Sequence, residues 1–442
     1  MKRVKQHTGY LSVKISAFLI TMVAFALLAL ILPLRPTYSE IEKRDLTKFP
    51  SFTWAAFWSG EYFKNIDTWY ADTFPFREAF IAANTSLHSL YGIAGQQIQG
   101  VVTSGDEIPD SSDSIKPSSS EKSSSSEQSS EPSSSQPEPD DPDVEVQSMG
   151  PILIAGDSAY EYYSFSRSES ERYVNMLNAA ATKFQGQANV YDIIIPNSMD
   201  IMLSNTARKR VNSSDQHAAI DYMHSLMNDQ VKKVPIFDTM YQHRKEYTYF
   251  RTDHHWTALG AYYAYGEYAK VKGFTAIPLD QYQSVTYEGF LGSFYSKSGM
   301  SQAMANNPDQ VVAYLPKSTN EMVFTNKSGD RITWPVINDV STWNAAMKYN
   351  AFIGGDNPYS EIQNPNLSDG SACIVVKESY GNAFVPFLVD HYQTVYVIDY
   401  RYYNGKLADL IAQTGAEDVI FINNIMATST SQRIGEMEAL TS

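Results

Sequence analysis

The chain has 442 residues, of which 43% are hydrophobic, enough to bury a large core in one main domain with attached segments. Its formal net charge of -15 argues against a nucleic-acid partner, because such proteins normally present a basic face. The single cysteine, Cys373, lies in an apolar run and has no second cysteine to pair with, so we expect a buried thiol.

The N-terminus predicts a membrane anchor. Residues 1–14 include several lysines and an arginine, and residues 15–34 are almost entirely apolar. At a rise of about 1.5 Å per residue, this run spans the ~30 Å hydrocarbon core of a bilayer, and the basic flank predicts a cytoplasmic tail. A cleaved signal peptide is the alternative, but no small-x-small cleavage pattern follows the run. We therefore expect a single-pass protein of the cell membrane whose residues after Arg35 are extracytoplasmic.

Two segments of different composition follow. Residues 40–103 are aromatic and amphipathic, which predicts helices whose apolar stripes pack as core. Residues 110–143 are rich in Ser, Pro and Glu, and such a composition buries too little apolar surface to offset its chain entropy. We expect this second segment to be a disordered linker, either a spacer through the cell wall or a long loop within one domain.

Strand-like and helix-like segments alternate from residue 150 to 442, which predicts an α/β domain with a mostly parallel sheet covered on both faces. In such sheets, functional sites gather at the carboxyl ends of the strands. Residues 273–350 are less regular and predict loops and short strands. The expected strands are 152–155, 190–195, 235–237, 373–376, 395–398 and 419–422, and the expected helices are 168–184, 216–227 and 257–270.

Two short stretches carry the candidate chemistry. Thr252-Asp253-His254-His255-Trp256-Thr257 places a carboxylate and two imidazoles before a predicted helix, and Ser379 follows the predicted strand 373–376. A serine hydroxyl becomes a nucleophile when a histidine removes its proton and a carboxylate fixes the tautomer of that histidine. A metal site at the Asp-His-His run is an alternative, but neighbouring side chains rarely reach one ion together, and we expect no metal.

A rival nucleophile is Ser158, because Gly156-Asp157-Ser158 also follows a predicted strand. Gly-Asp-Ser is the nucleophile block of SGNH hydrolases. In those enzymes the Asp-His pair lies near the C-terminus, whereas the residues after Asn423 include no histidine. Ser379 has the better context for a nucleophile elbow, although helix capping by serine remains an alternative for both positions.

The run from 252 to 262, Thr-Asp-His-His-Trp-Thr-Ala-Leu-Gly-Ala-Tyr, resembles the signature of the bacterial DHHW protein family. The segments 72–77, 160–161, 290–293 and 378–382 also fit this family, whose members are similar to SGNH-like alginate O-acetylation proteins. The resemblance implies an SGNH-hydrolase-like three-layer sandwich, with Asp253 as orienting carboxylate, His255 as base and Ser379 as nucleophile. Glu378 departs from the aspartate expected beside the serine.

The implied function is that of a membrane-anchored O-acetyltransferase or acetylesterase that acts on cell-wall or exopolysaccharide glycans without a cofactor. A membrane protein that delivers acyl groups is a further expected partner. A non-catalytic, glycan-binding surface protein with a degenerate SGNH-like fold is the competing interpretation, and convergence of the three side chains would discriminate between the two. We expect backbone N–H groups at Ser379, together with the dipole of a following helix, to stabilise an oxyanion. Further candidates for substrate or oxyanion binding are Asn357, Gly355, Asn382, Arg401, Trp256 and His254.

Overall fold

The computed structural model describes residues 35, 38–39, 44–59, 61–74, 105–109, 146–149 and 151–442. The predicted cytoplasmic tail (1–14), membrane anchor (15–34) and linker (110–143) lie outside these residues. Within the described parts of the chain, no helix is both long and apolar enough to cross a bilayer. The chain divides into two compact units, Met1–Gly95 and Gln96–Ser442.

The first unit contains a two-stranded ribbon, β1 (Tyr38–Ser39) and β2 (Arg44–Asp45), and two helices, α1 (Trp54–Ser59) and α2 (Glu61–Asp72). The aromatic side chains contact one another edge to face, as Phe52 and Tyr62 do at a ring separation of 5.3 Å. Trp54 and Trp58 are nevertheless exposed, so the prediction that this stripe packs as core holds only in part.

The second unit is an α/β domain built on an eight-stranded mixed sheet with the order β11-β10-β12-β14-β13-β15-β6-β7. The five strands from β14 to β7 are parallel, whereas β12, β10 and β11 extend the sheet in antiparallel fashion. The prediction of a mostly parallel sheet is therefore correct for one side of it only. The strands are β6 (Asn189–Ile195), β7 (Val231–Lys233), β10 (Glu321–Thr325), β11 (Arg331–Pro335), β12 (Tyr359–Gln363), β13 (Ala372–Lys377), β14 (Thr394–Asp399) and β15 (Asp418–Asn424).

Helices cover both faces of this sheet. Alternate residues of β13 point to opposite sides, so that Cys373 and Val375 join one apolar core and Ile374 and Val376 the other. The first core includes α4 (Ser198–Met202), α7 (Phe237–Gln242) and α8 (Ala258–Lys272), and the second includes α3 (Arg167–Lys183), α6 (Gln216–Leu226), α11 (Leu407–Thr414) and α12 (Ser431–Thr441). The remaining helices are α5 (Asn205–Arg208), α9 (Ser293–Lys297) and α10 (Gln302–Asn306).

Two predicted strands differ from the observed structure. Residues 152–155 form a strand, but it lies in a separate antiparallel sheet of β3 (Val146–Met149), β4 (Ile152–Ala155) and β5 (Ser158–Glu161). Residues 235–237 are not a strand, because pairing along β6 ends with the Val234 N–H and Pro235 has no N–H to continue it. The irregular region 273–350 contains a further antiparallel pair, β8 (Gln283–Phe290) and β9 (Asp309–Leu315).

Both flanks of the predicted linker belong to the α/β unit. Asp106 donates its N–H to the Phe165 carbonyl oxygen at 2.8 Å and accepts the Arg167 N–H on its carboxylate at 2.9 Å. On the other side of the linker, β3 pairs with β4. The described residues on both sides of the predicted linker are therefore attached to the α/β unit.

Candidate active site

Ser379 lies just beyond the carboxyl end of β13, at the start of a short 3₁₀ helix, Ser379–Ala383. The preceding Glu378 fixes this corner: its Oε2 accepts the Tyr380 N–H at 3.1 Å, and its Oε1 accepts the Asn424 N–H at the end of β15 at 3.0 Å. The corner turns sharply, since a Cβ at Gly381 would lie 2.6 Å from the Lys377 Cβ. The strand ends and the Glu378 cap together present the serine hydroxyl at the edge of the sheet.

The histidine segment is held against this corner by aromatic residues. Tyr249 and Trp256 form an antiparallel bridge that closes a tight loop around Asp253 and His255. The buried Trp256 donates its indole N–H to the Tyr380 carbonyl oxygen at 2.8 Å. Trp256 therefore binds the nucleophile corner to the histidine loop, a structural role in place of the predicted contact with substrate.

Asp253, His255 and Ser379 form a continuous hydrogen-bonded relay. His255 Nε2 lies 2.8 Å from Ser379 Oγ, and His255 Nδ1 lies 2.5 Å from Asp253 Oδ1. The carboxylate and the imidazole are both buried. An Nδ1–H that donates to the carboxylate leaves the Nε2 lone pair facing the serine hydroxyl, which is the tautomer that general-base catalysis requires.

Tyr349 completes the support of the base and was not singled out in the sequence. Its ring stacks on the His255 imidazole with centroids 3.9 Å apart and planes 9° apart, and its hydroxyl donates to the Ser379 carbonyl oxygen at 3.0 Å. Burial and the nearby Glu378 carboxylate raise the pKa of Tyr349 well above its usual value, so the hydroxyl stays protonated as a donor. No short sequence motif marks Tyr349, because it lies 30 positions before Ser379 in the region 273–350, where the sequence pattern is irregular.

His254 lies beside the relay but outside it. Its Nδ1 lies 2.6 Å from Ser293 Oγ, and its ring centroid is 3.9 Å from that of His255. Burial, followed by the neighbouring His255, lowers the pKa of His254 to about 4, so the ring is neutral near pH 7.

The Asp-His-His run, which the sequence offers as an alternative metal site, takes part in hydrogen bonds with protein groups. Asp253, His254 and His255 offer ligand atoms within 4.8 Å of one another. However, the Asp253 carboxylate is hydrogen-bonded to His255 Nδ1 at 2.5 Å, and Ser293 Oγ is hydrogen-bonded to His254 Nδ1. Asp253 and His255 are thus engaged as two members of the proton relay.

Four other predicted site residues occupy structural positions. Asn357 donates to the Gly354 carbonyl oxygen at 3.4 Å and closes its own turn, in which Gly355 adopts a left-handed φ of 83°. Arg401 pairs with Asp399 at 2.6 Å and with Asp356 at 2.8 Å. The Asn382 side chain donates to Asp356 at 3.0 Å.

These last residues form a buried charge cluster behind the nucleophile corner. Lys377 Nζ, which is fully buried, lies 3.2 Å from Asp356 and 3.1 Å from Asp399. Burial acts to raise the pKa of Asp356, but the cations of Lys377 and Arg401 outweigh it and hold that pKa below its usual range. The charges compensate one another, which predicts a role in stability in place of substrate binding.

The predicted stabilisation of an oxyanion by a helix dipole is not realised as expected. The segment after Ser379 is a five-residue 3₁₀ helix, and Glu378 accepts the N–H groups of both Tyr380 and Gly381, through its side chain and its carbonyl oxygen. A helix this short has little macrodipole. Of the first three N–H groups in this turn, only that of Ser379 has no hydrogen-bond partner among the described residues.

Ser158 does not have the geometry of a nucleophile. It pairs with Ala155 across the two-residue turn Gly156-Asp157 in the β4–β5 hairpin, and Gly156 has a left-handed φ of 62°. Its hydroxyl donates to the Asp157 carboxylate at 3.1 Å, so an acid and not an imidazole is its neighbour. The Gly-Asp-Ser sequence here follows from the chemistry of a tight hairpin turn.

Comparisons with known proteins agree with the sequence motifs. A solved DHHW family protein from Eubacterium siraeum is 25% identical, with a TM-score of 0.62, over 68% of this chain and 99% of that one. Bacillus cereus PatB1 shares the α/β fold at 19% identity and a TM-score of 0.54, over 66% and 99% of the two chains. A weaker match, with 13% identity and a TM-score of 0.36 over 65% and 96%, is the O-acetyltransferase domain of Pseudomonas putida AlgJ. No curated protein matches the chain. The family model described as DHHW protein matches residues 42–138 and 139–398, more than half of the sequence, and the chain therefore belongs to the DHHW protein family.

Proposed function

We propose that this protein is a membrane-anchored, extracytoplasmic serine O-acetyltransferase or acetylesterase that acts on glycans of the cell envelope or an exopolysaccharide. The observation that carries the proposal is the relay from Asp253 through His255 to Ser379, with separations of 2.5 and 2.8 Å. Groups 124 positions apart in sequence meet at the carboxyl end of a parallel strand, where α/β sheets place their sites.

The reaction proceeds by double displacement. His255 Nε2 removes the Ser379 proton as Oγ attacks the acyl carbonyl carbon, and the leaving group departs with a proton from the imidazolium. A sugar hydroxyl or water then attacks the acyl-serine, with His255 again as base, and free Ser379 is regenerated. Asp253 holds the tautomer in both steps, and the Ser379 N–H is available to the oxyanion.

Helices on both faces of the sheet support the proposed SGNH-hydrolase-like, three-layer architecture, and no cofactor takes part in this scheme. A membrane protein that delivers acyl groups is the proposed partner, because acyl donors are made inside the cell whereas this domain is predicted to lie outside it. The PatB1 fold has been solved with a sulfonyl adduct, which makes a sulfonyl fluoride a suitable second probe beside a fluorophosphonate.

The test is covalent labelling of the full-length protein with a fluorophosphonate, followed by hydrolysis of an acetyl ester. We expect stoichiometric labelling that maps to Ser379 and is lost in Ser379→Ala. The matched control is Ser158→Ala, which removes a hydroxyl from the hairpin turn and should leave labelling and turnover unchanged.

Labelling that maps to Ser158 would identify Ser158 in the hairpin, and not Ser379, as the nucleophile. Absence of labelling together with absence of turnover on acetylated oligosaccharides would refute an acyl-transfer enzyme and favour the non-catalytic glycan-binding protein.

A further inference from the structure

The Phe290-Leu291-Gly292-Ser293 motif lies directly against the carboxylate of the relay. It connects β8 to α9, with Gly292 as the residue before the helix and Ser293 as its first residue. The Ser293 N–H donates to Asp253 Oδ2 at 2.7 Å, whereas the other oxygen, Oδ1, faces His255. Oδ1 also accepts the backbone N–H of His255 at 3.1 Å. The carboxylate is therefore held on both oxygens, on Oδ1 by two donors of His255 and on Oδ2 by this loop.

Gly292 is required for space in this contact. A Cβ at this position would lie 2.2 Å from both the Cβ and Oδ2 of Asp253, a distance that no real pair of atoms adopts without displacement. Its φ of -92° and ψ of -155° are open to any residue, so backbone freedom is not the reason for glycine. The close approach brings the Ser293 N–H within hydrogen-bond distance of the carboxylate.

The loop and the residue before Asp253 share a buried anchor. Asp309 is fully buried, and its Oδ2 accepts the Thr252 N–H at 2.7 Å and the Thr252 hydroxyl at 2.6 Å. The same hydroxyl oxygen accepts the Gly292 N–H at 3.2 Å, and the Thr252 carbonyl oxygen accepts the Tyr295 N–H at 3.0 Å. The two segments are thus fixed to each other on either side of Asp253.

We propose that Gly292 and Ser293 form a positioning loop, in which the Ser293 N–H fixes the Asp253 carboxylate in the one orientation that engages His255 Nδ1. The Ser293 N–H bonds the second oxygen, so its loss removes a restraint on rotation of the carboxylate about its Cβ–Cγ bond. The aspartate acts by selecting the histidine tautomer, so its orientation controls the fraction of His255 that is competent as a base. The inference rests on the proposed function in its kinetic consequences, but not in its effect on the tautomer.

The test substitution is Ser293→Pro. Proline is tolerated at the first position of a helix, and the extended conformation of Gly292 suits a residue that precedes proline. The substitution removes the N–H donor and directs a ring carbon at Asp253 Oδ2. Ser293→Ala keeps the N–H and removes only the hydroxyl beside His254, so the difference between the two variants isolates the backbone donor.

A matched control is Gln302→Pro, the same change at the first position of α10, where the side chain is exposed. All variants are compared as full-length proteins, with their unfolding transitions recorded. We expect Ser293→Pro to lower kcat for an acetyl ester roughly 100-fold with little change in KM, because a misplacement of about 1 Å costs that much. Ser293→Ala should lose roughly fivefold, and Gln302→Pro should match the wild type.

The decisive readout is the tautomer of His255, measured by NMR of ¹⁵N-histidine and assigned by the signal missing in His255→Gln. The wild type and Ser293→Ala should carry the proton on Nδ1, and Ser293→Pro should show a mixture of tautomers. Should Ser293→Pro not fold, Gly292→Ala pushes the same carboxylate with a methyl group and should give the same mixture.

An Nδ1–H tautomer that persists in both Ser293→Pro and Gly292→Ala would overturn the positioning role, as would a wild-type His255 protonated on Nε2. A tautomer that responds as expected in a wild type without any acetyl-ester turnover would uphold the positioning loop and refute the enzymatic function instead.

Discussion

The carboxylate of Glu378 lies 3.1 Å from Ser379 Oγ, so the serine hydroxyl has two acceptors within reach, this carboxylate and His255 Nε2. A negative charge beside an oxyanion costs energy, so this residue needs a contribution elsewhere that offsets the cost. This contribution is structural, since Glu378 accepts the backbone N–H groups of Tyr380 and Asn424 and ties the ends of β13 and β15 together. The residue that departs from the expected aspartate therefore holds the corner that carries the nucleophile.

Replacing Glu378 by Gln tests this capping role. An amide can accept on one atom only, and its NH₂ group would face a backbone N–H at the other, so we expect a loss of about 1–3 kcal/mol in the free energy of unfolding. Chemical denaturation measures the loss. The control is Glu288→Gln, an exposed position on β8, which should stay within about 0.5 kcal/mol of wild type. An unchanged stability of Glu378→Gln would mean that Glu378 does not hold the corner.

The relay makes a second prediction at this scale, because its members act as one unit. Ser379→Ala and His255→Ala should each abolish measurable acetyl-ester hydrolysis, and the double variant should be little worse than either. Asp253→Asn should retain somewhat more activity, since it disturbs the tautomer but leaves nucleophile and base in place. Steady-state rates at equal folded fractions provide the measurement. Losses that multiply in the double variant would show that the two residues act independently.

Among the elements, a strand and a helix meet through titratable side chains that the proposed mechanism does not use. Asp192 on β6 is fully buried, accepts the Tyr173 hydroxyl at 2.5 Å and lies 3.9 Å from His224 Nε2 on α6. Burial raises the pKa of Asp192 to about 7 and lowers the pKa of His224 to about 4. Folding therefore favours the neutral form of each group, and their effects on stability oppose each other across the same pH range.

The contributions of Asp192 and His224 to stability change in opposite directions with pH, and this can be measured. The raised pKa of Asp192 contributes stability that is present below pH 4 and is lost as the pH rises to about 7. The lowered pKa of His224 contributes stability that is present above about pH 6.5 and is lost as the pH falls towards 4. Asp192→Asn should thus gain stability relative to wild type between pH 4 and 7, by up to about 4 kcal/mol at about 1.4 kcal/mol per unit. Denaturant unfolding along this pH range measures the difference, with Asp229→Asn, at an exposed position, as the control. A difference that does not vary with pH would contradict the pKa of Asp192.

How far the sequence predicts these elements depends on how local their determinants are. The strands β6, β13, β14 and β15 and the helix α8 were predicted within a few residues, since apolar runs and the Thr257 cap mark them locally. The bounds of β10, β11 and β12 were not predicted. For residues 273–350, which contain β10 and β11, the sequence predicts only loops and short strands without positions, and these strands gain their order from pairing. In the site, the relay residues stand in short motifs, whereas Tyr349 reaches His255 through the fold alone.

For the whole molecule, both flanks of residues 110–143 are attached to the α/β unit. This attachment determines how the length of the segment affects the free energy of unfolding. Deleting residues 115–138 shortens the segment between Asp106 and β3, both of which are attached to the α/β unit. Loop-closure entropy grows slowly with length, so the free energy of unfolding should change by less than about 1 kcal/mol. Scanning calorimetry should show a midpoint within a few degrees of wild type. A large loss of stability would mean that the segment packs on the domain.

The same loop provides a test of membrane topology. The basic residues of the first 14 positions and the apolar run 15–34 predict that everything after Arg35 lies outside the cytoplasm. Protease added to intact cells should therefore cut first within residues 110–143, where the composition predicts disorder. Because Asp106 and β3 contact the same α/β unit, the two fragments should stay together after the cut and separate only in denaturant. A cytoplasmic protein with the same loop would be cleaved only after lysis, so an epitope tag at the C-terminus and a known cytoplasmic protein are followed in parallel. Full protection of the tagged chain in intact cells, with cleavage on lysis, would place the domain inside the cell and remove the basis for an extracytoplasmic glycan substrate.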